Sequence, residues 1–357
     1  MTDDEWDALR ERCTRFVHGH GPVRVPDLLA TIPADTAPDW YGKGGIVGEL
    51  EAEIAALLEK PAAVFFPSGT MAQQLTLRVL ASRHSSDVVM MHPLAHPLIG
   101  EEAAISRLQH LVPRAVGDTN RLLTLDDLNG VAEPAAALLL ELPQREIGGQ
   151  QPSWDDLQAQ VRWARDRGLA THLDGARIWE SAVGYRRPLA DIAQLFDTVY
   201  VSFYKILGAL PGACIAGPAE IVAEVREWRK RMGGTIFGLW PNAASARTCL
   251  RTRAPLVQRY FDHGQSLADA LRDVDGVRVV PDPPHTPMFH ILLTTSPETL
   301  AANAYTLAAN DGIWTWRKGA ATGDPGVQRV ELAVGDRACE WEPAAFRDIV
   351  ARLVKPV

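Results

Sequence analysis

Four short turns carry the residues of this chain that could do chemistry, and each turn follows an apolar segment. The Ser68-Gly69-Thr70 turn follows "AAVFF", His96 lies after "DVVMM", Asp174 follows "LATHL" and Lys205 follows "DTVYVSF". Small hydroxyls and backbone N–H groups at the start of a helix suit a phosphate. An imidazole can stack on a flat ligand, a buried carboxylate requires a cationic or N–H partner, and a desolvated lysine becomes nucleophilic.

Each of these features also has an ordinary structural interpretation when it is taken alone. A Ser-Gly-Thr sequence is common in turns, and His96 could be a structural histidine. Asp174 could pair with Arg177 in its own turn, and Lys205 could be a surface lysine. His92 and His96 have a spacing that metal ligands use, but a proline follows each of them and disfavours the helix that would present them. We therefore expect no metal site.

The apolar segments alternate with amphipathic helical patterns through the middle of the chain. "GELEAEIAALLEK" (48–60) places its leucines and isoleucine on one helical face, and Pro61 is expected to end that helix. Ser153 and Asp156 form a helix-start pattern before a segment that ends near Gly168. Continuous apolar strands that alternate with helices predict an α/β fold with a parallel sheet covered on both faces.

The length of 357 residues fits two packed domains better than one small domain. We expect residues 1–47 to form an N-terminal arm with one short helix and residues 48–250 to form the large domain. Residues 251–357 then read as a smaller α+β domain, in which the "PDPPHTP" stretch is a loop.

Composition narrows the class of protein. The formal net charge is −8 and the basic residues are scattered, so we expect no nucleic-acid partner. No apolar run reaches the ~18 residues that a membrane span requires. The four cysteines are far apart and form no C-x-x-C, which disfavours disulfides and a zinc site. Together with the acidic, polar N-terminal segment, these features predict a cytoplasmic protein.

The four turns together match the groups that bind pyridoxal 5′-phosphate (PLP). This cofactor needs a phosphate site, a ring contact, an acid at its pyridine nitrogen and a Schiff-base lysine. Asp174 and Lys205 are 31 residues apart, about one crossover connection, so their strands can be neighbours. Because ligands of open parallel sheets bind at the carboxyl ends of the strands, one PLP ring could bridge the two side chains.

With these motifs the chain resembles the threonine aldolase/β-eliminating lyase family of fold-type I PLP enzymes. The resemblance is carried by "FFPSGTMAQQ", "LTLDDLNG", "THLDGARIWESAV" and "SFYKILGALPGACIAG", within residues 36–250. It implies an aspartate aminotransferase-like fold, with a mostly parallel sheet in the large domain and a smaller α+β C-terminal domain. It also implies a homodimer or homotetramer.

The resemblance implies roles for the cofactor-binding residues. Lys205 would be the Schiff-base lysine and Asp174 the partner of the pyridine nitrogen. His96 would stack on the ring, and Ser68-Gly69-Thr70 would bind the phosphate. Arg177 would reach either the phenolic edge of the cofactor or the carboxylate of the substrate.

Other positions implied by the resemblance concern the substrate and the neighbouring subunit. Tyr41 matches an active-site tyrosine, and Arg229 is similar to an arginine that reaches a partner subunit. Gln144 stands where the family has a histidine that faces the substrate hydroxyl, and residues 233–238 lack an arginine of the family. Arg329 is the nearest match to the carboxylate-binding arginine, although Glu331 could occupy that register and Arg317 is a further candidate.

The resemblance therefore implies a PLP-dependent carbon–carbon lyase that cleaves a threonine-like β-hydroxy-α-amino acid into glycine and an aldehyde. His96 is the candidate base for the hydroxyl proton, because Gln144 cannot serve. The alternative is a PLP-dependent β-eliminating lyase, dehydratase or racemase, in which Lys205 removes the Cα proton. A non-catalytic homologue is the third interpretation.

Overall fold

The computed structural model describes residues 2–356, which form two compact units. The larger unit comprises Arg24–Ile147 and Gln151–Pro255, and the smaller unit comprises Met1–Val23, Gly148–Gln150 and Leu256–Val357. The compact units thus separate residues 1–23 from residues 24–47. The predicted division into 1–47, 48–250 and 251–357 stays a prediction.

The secondary structure elements are numbered along the chain. The α-helices are α1 (Asp3–Arg12), α2 (Val25–Leu29), α3 (Gly45–Leu57), α4 (Gly69–Ala81), α5 (His96–Ile99), α6 (Ala104–Arg107), α7 (Leu125–Asn129), α8 (Trp154–Asp166), α9 (Ile178–Tyr185), α10 (Leu189–Gln194), α11 (Ala219–Arg231), α12 (Trp240–Arg253), α13 (Val257–Leu271), α14 (Pro297–Asp311) and α15 (Pro343–Leu353). The strands are β1 (Arg15–Phe16), β2 (Ala62–Phe66), β3 (Val88–Met91), β4 (Val112–Ala115), β5 (Ala137–Glu141), β6 (Ala170–Gly175), β7 (Thr198–Ser202), β8 (Ala213–Gly217), β9 (Val277–Val280), β10 (Met288–Thr294), β11 (Ile313–Trp314), β12 (Ala320–Ala321) and β13 (Val327–Ala333). Short 3-10 turns occupy Arg145–Ile147, Ala254–Leu256 and Ala338–Glu340.

The larger unit is built on a seven-stranded sheet in the order β2-β8-β7-β6-β5-β3-β4. Neighbours from β7 to β4 are parallel, whereas β8 is antiparallel to both β2 and β7. The short connection between β7 and β8 explains the reversal, because a parallel crossover needs a dozen or more residues. The predicted α/β architecture with a mostly parallel sheet is confirmed.

The central strands are buried along their whole length, as their continuous apolar sequences predicted. Every residue of β6, β7 and β8 is buried, and so are the first four residues of β5. In such open sheets, ligand-binding side chains lie mainly at the carboxyl ends of the strands. Six of the seven strands point the same way, and their carboxyl ends form one edge, which we call the carboxyl edge.

Two local details of the larger unit differ from the sequence prediction. Helix α3 begins at Gly45 and ends at Leu57, before Pro61, because Glu59 adopts a left-handed conformation with φ of 50°. The arm predicted for residues 1–47 holds two short helices, α1 and α2, rather than one. In contrast, Ser153 caps α8 as predicted, since its side chain accepts the backbone N–H of Asp156 at 3.1 Å.

The smaller unit contains a four-stranded antiparallel sheet in the order β12-β13-β10-β9. The strands β1 and β11 of the same unit pair with each other in parallel. Its long helices are α13, α14 and α15. This confirms the predicted α+β composition of the C-terminal part. Within residues 2–356, no helix is both long and apolar enough to cross a bilayer.

Candidate active site

Asp174 and Lys205 lie on adjacent strands at the carboxyl edge. The sequence predicted Asp174 just after the end of a strand. Strand β6 instead continues through Gly175, so Asp174 is part of the strand. Asp174 is opposite Tyr200 of the parallel strand β7, and Lys205 follows the last residue of β7 by three positions. The two residues predicted to share one ligand are thus brought to one edge of the sheet.

The ammonium group of Lys205 sits within a cluster of charged side chains. Burial lowers the pKa of Lys205, and the guanidinium of Arg177 lowers it further. The carboxylates of Asp174, Glu141 and Glu180 oppose this shift. Because these electrostatic effects require proximity, the five side chains form one cluster. A lysine with a lowered pKa is uncharged, and therefore nucleophilic, for a larger fraction of the time.

The carboxylate of Asp174 is buried and only partly used by the protein. Its exposed fraction is 1%. Oδ1 accepts the backbone N–H of Ala176 at 3.1 Å, and Oδ2 accepts the Gln73 amide at 2.5 Å. A carboxylate has about four acceptor positions. Two protein donors therefore leave room for a further N–H donor, such as a protonated pyridine nitrogen.

The predicted phosphate turn lies between the end of β2 and the start of α4. Ser68 is the N-cap residue, and no side chain caps the helix, so the first-turn N–H groups at Gly69 and Thr70 are available to an anion. A Cβ on Gly69 would collide with the hydroxyl of Tyr200. A residue without a side chain is therefore needed at position 69 for the Tyr200 ring to pack against the start of α4.

This packing predicts opposite effects for alanine at two helical glycines. Gly69→Ala should destabilise the protein by about 1–3 kcal/mol, because the new methyl group must displace the Tyr200 hydroxyl. In Gly48→Ala, the matched control in α3, the new methyl group meets nothing within 4 Å. That change should be neutral or stabilise by about 0.5–1 kcal/mol. Urea denaturation of both variants measures the difference, and equal effects would contradict the described packing.

His96 is paired with a buried glutamate. Its Nδ1 lies 3.2 Å from Oε1 of Glu101, a side chain that is 1% exposed. The hydrogen bond to Glu101 raises the pKa of His96, and burial of the ring partly opposes this. The charges of Asp174 and Lys205 also affect the pKa of His96, so the ring belongs to the same cluster. His92 points elsewhere, with its Nε2 at 2.9 Å from the Arg121 carbonyl oxygen.

Glu141 is a member of the cluster that the sequence analysis did not single out. It ends β5 directly opposite Asp174 of β6. Burial and the charge of Asp174 raise the pKa of Glu141. Its carboxylate accepts the backbone N–H groups of His96 at 3.3 Å and of Arg145 at 3.2 Å. An acidic residue at the end of an apolar strand, the same signal that identified Asp174, could have revealed it.

Gln144 lies beside Glu141 and uses its amide group within the protein. Its Nε2 donates to the carbonyl oxygen of Leu94 at 3.1 Å and to Glu141 at 3.3 Å, and the residue is 3% exposed. A carboxamide in this position cannot accept a proton as a histidine would. A contact between Gln144 and a substrate stays a prediction.

Tyr41 and Arg229 occupy different environments. The ring of Tyr41 is half exposed and packs edge-on against Trp40 and Phe237. Arg229 is 1% exposed, donates to the carbonyl oxygen of Phe65 and lies 3.9 Å from Glu51. These contacts hold Arg229 within the larger unit, and its contact with a partner subunit stays a prediction.

The three C-terminal candidates for binding a substrate carboxylate belong to the smaller unit. Arg329 and Glu331 lie two residues apart on β13, where Arg329 is opposite Leu292 of β10. Arg317 donates to Oδ1 of Asp3 at 2.7 Å. Within the cluster itself, Arg177 supplies the guanidinium, 3.8 Å from Glu180. The role of Arg329 stays a prediction.

The residues at the carboxyl edge fit PLP on structural grounds. The N-terminus of α4 lacks a side-chain cap, and Gly69 lets the Tyr200 hydroxyl approach its first turn closely. Asp174 is buried and retains acceptor capacity, and the amine of Lys205 lies in the same cluster. These are complementary to the anionic phosphate, the ring nitrogen and the aldehyde of PLP.

Comparisons with known proteins agree with this geometry. The family model described as beta-eliminating lyase matches residues 28–294. A solved structure from Listeria monocytogenes EGD-E, provisionally assigned as an L-allo-threonine aldolase, is 35% identical, covers 98% of each chain and superimposes with a TM-score of 0.93. A second, from Exiguobacterium sp. 255-15, provisionally assigned as an aromatic amino acid beta-eliminating lyase/threonine aldolase, is 34% identical over 97% of this chain and 98% of its own, with a TM-score of 0.92.

A curated relative extends the match to a plant protein. "Low-specificity L-threonine aldolase 1" of Arabidopsis thaliana is 26% identical over 256 residues, which is 69% of this chain and 71% of the relative. The matches cover the strands and turns that form the cluster, and the PLP fold-type I architecture is confirmed. The chain belongs to the beta-eliminating lyase family, as its motifs indicated.

Proposed function

We propose that this protein is a PLP-dependent aldolase that cleaves a threonine-like β-hydroxy-α-amino acid into glycine and an aldehyde. The observation that carries the proposal is the cluster in which Lys205, with its lowered pKa, shares the carboxyl edge with Asp174. The names of the relatives from Listeria and Arabidopsis support the same reaction class.

Named groups of the chain would hold the cofactor. Lys205 Nζ would bind it covalently, Asp174 would accept its ring N–H, and the Ser68-Gly69-Thr70 turn would hold its phosphate. His96 would cover its ring, and Arg177 would contact its phenolic edge or the substrate carboxylate. When bound, PLP supplies a ring that accepts the electrons of the bond broken at the substrate Cα.

His96 and Glu101 provide the group that moves the hydroxyl proton. Glu101 Oε1 accepts the Nδ1–H of His96, which leaves the lone pair on Nε2 free. Nε2 then accepts the proton of the substrate hydroxyl group directly or through a water molecule. This assignment gives the base to His96 because the amide of Gln144 donates to Leu94 and Glu141.

Replacing His96 should slow cleavage and change its pH dependence. We expect His96→Asn to lower kcat by about 10²–10⁴-fold, the usual value of a general base. In the wild type, the rate falls as pH drops through the raised pKa of His96, because a protonated ring cannot accept the hydroxyl proton. That acid limb should be absent from the kcat profile of the variant.

The neighbouring histidine supplies the control for this prediction. His92→Asn removes a ring that contacts the Arg121 carbonyl oxygen, outside the cluster. This variant should keep most of the rate and the whole acid limb. If both variants lose the same amount of activity, His96 has no special role in moving the proton.

The remaining parts of the proposal concern the substrate, the assembly and the location. Tyr41, Gln144 and Arg329 are proposed to contact the substrate. A homodimer or homotetramer is supported by the exposed aromatic surface of Trp40, Tyr41 and Phe237, which suits a protein contact. A cytoplasmic location is supported by the wide spacing of the cysteines.

Product analysis tests the proposed reaction. The purified protein is loaded with PLP and incubated with L-threonine and L-allo-threonine. Glycine and acetaldehyde in equal amounts are expected. Ammonia with 2-oxobutanoate would show β-elimination instead, and loss of optical purity without cleavage would show racemisation; either result alone would overturn the aldolase proposal.

A further inference from the structure

Hydrogen bonds through the buried side chains of Gln73 and His172 connect Asp174 to Thr198, the first residue of β7. Gln73 Nε2 lies 2.5 Å from Asp174 Oδ2, and Gln73 Oε1 lies 2.8 Å from His172 Nε2. His172 Nδ1 lies 2.8 Å from Thr198 Oγ1. Gln73, His172, Asp174 and Thr198 are each no more than 2% exposed. Residues 172 and 174 are two positions apart on β6 and therefore share one face of the strand, where the Gln73 amide can contact both.

The donor and the acceptor of each of these three hydrogen bonds can be assigned. A Gln73 amide turned the other way would place its oxygen against the Asp174 carboxylate, so the NH₂ group must face Asp174. Gln73 Oε1 then needs a donor, which is the Nε2–H of His172. Burial lowers the pKa of His172 to about 4, so the ring is neutral near pH 7 and its Nδ1 accepts the Thr198 hydroxyl.

We propose that Gln73 and His172 are positioning residues for the cofactor. The His172 ring fixes the orientation of the Gln73 amide, and the Gln73 amide holds the Asp174 carboxylate so that it faces the pyridine nitrogen. We call these residues the relay. The inference rests on the proposed PLP site, but it concerns how the cofactor is held and not which bond of the substrate breaks.

Adjacent glutamines on helix α4 allow a matched test of the relay. Gln73→Met removes both hydrogen bonds of the relay residue while keeping a long side chain. Gln74→Met is the control, because Gln74 is also buried, at 6% exposed, but accepts from Gln109 at 2.9 Å and does not contact Asp174. Wild type and both variants are titrated as apoproteins with PLP. The visible absorption and visible circular dichroism of the bound cofactor are recorded.

We expect the PLP dissociation constant of Gln73→Met to rise about 10- to 100-fold, the usual effect of losing a hydrogen bond to a charged group. The visible dichroism band should also change, because it reports the orientation of the ring in the site. Gln74→Met should stay within about twofold of wild type and keep its band. Equal behaviour of the two variants would overturn the relay.

A second variant covers the case in which Gln73→Met does not fold. His172→Leu leaves Gln73 in place but removes the donor to Gln73 Oε1, so the amide is held at one end only and the dissociation constant should rise about 2- to 10-fold. An unchanged constant and band would overturn the relay. Wild-type protein that binds PLP but forms no glycine from threonine contradicts the proposed function alone. Wild-type protein that binds no PLP contradicts both.

Discussion

Lys205→Ala is expected to eliminate both lyase activity and the visible absorption of bound cofactor. The chain offers no second amine within the described cluster of Asp174, Glu141, Arg177 and Glu180, where burial lowers the pKa of Lys205. We expect kcat to fall by more than about 10³-fold, as when a covalent nucleophile is removed. Absorption spectroscopy and glycine formation from threonine measure the two effects.

Lys60 provides a demanding control for this variant. Burial also lowers the pKa of Lys60, but this lysine precedes β2 and its Nζ donates to the carbonyl oxygen of Phe196, which precedes β7, at 2.6 Å. It therefore lies at the amino ends of these strands, opposite the carboxyl edge. Lys60→Ala should keep the cofactor band and the activity. A cofactor band that persists in Lys205→Ala would remove the basis of the site assignment.

Asp174→Asn should give a folded but much slower enzyme. Asparagine keeps the shape of the side chain but removes the charge proposed to face the ring nitrogen, and it places an NH₂ group against one of the two donors, Gln73 Nε2 or the Ala176 backbone N–H. Breaking a buried charge pair costs about 3–5 kcal/mol, which corresponds to a loss of at least about 100-fold in kcat/KM. Weaker PLP binding should accompany this loss.

Asp197→Asn is the control that separates a loss of catalysis from a loss of stability. Asp197 accepts the backbone N–H of Thr171 at 2.7 Å and its hydroxyl at 2.9 Å, at the amino end of β7. Asp197→Asn should lower the free energy of unfolding and leave kcat/KM nearly unchanged. If Asp174→Asn behaved in the same way, Asp174 would be only a turn-forming acid.

The part of the site that could be predicted from the sequence is the part encoded locally. Apolar runs such as those of β6 and β7 predict buried parallel strands, and a polar residue at the end of such a run is conspicuous. This pattern identifies Asp174 and Lys205, and the length of one crossover predicts the adjacent strands β6 and β7 that the structure shows.

The part that could not be predicted depends on register and packing between distant segments. Gln73 and Asp174 are 101 positions apart, and no periodicity shows that α4 packs its amide against β6. Glu141 enters the cluster because β5 pairs with β6 in a register that places it opposite Asp174. The burial of Arg229 is likewise a consequence of tertiary packing that its position in a charged helix conceals.

The most direct test of the account is to find which lysine carries the cofactor. The PLP-loaded wild-type protein is reduced with borohydride, digested and mapped by mass spectrometry; it contains six lysines. We predict a pyridoxyl group on the peptide that contains Lys205. A pyridoxyl group on Lys60, the other lysine whose pKa burial lowers, or on any lysine other than Lys205, would contradict the account.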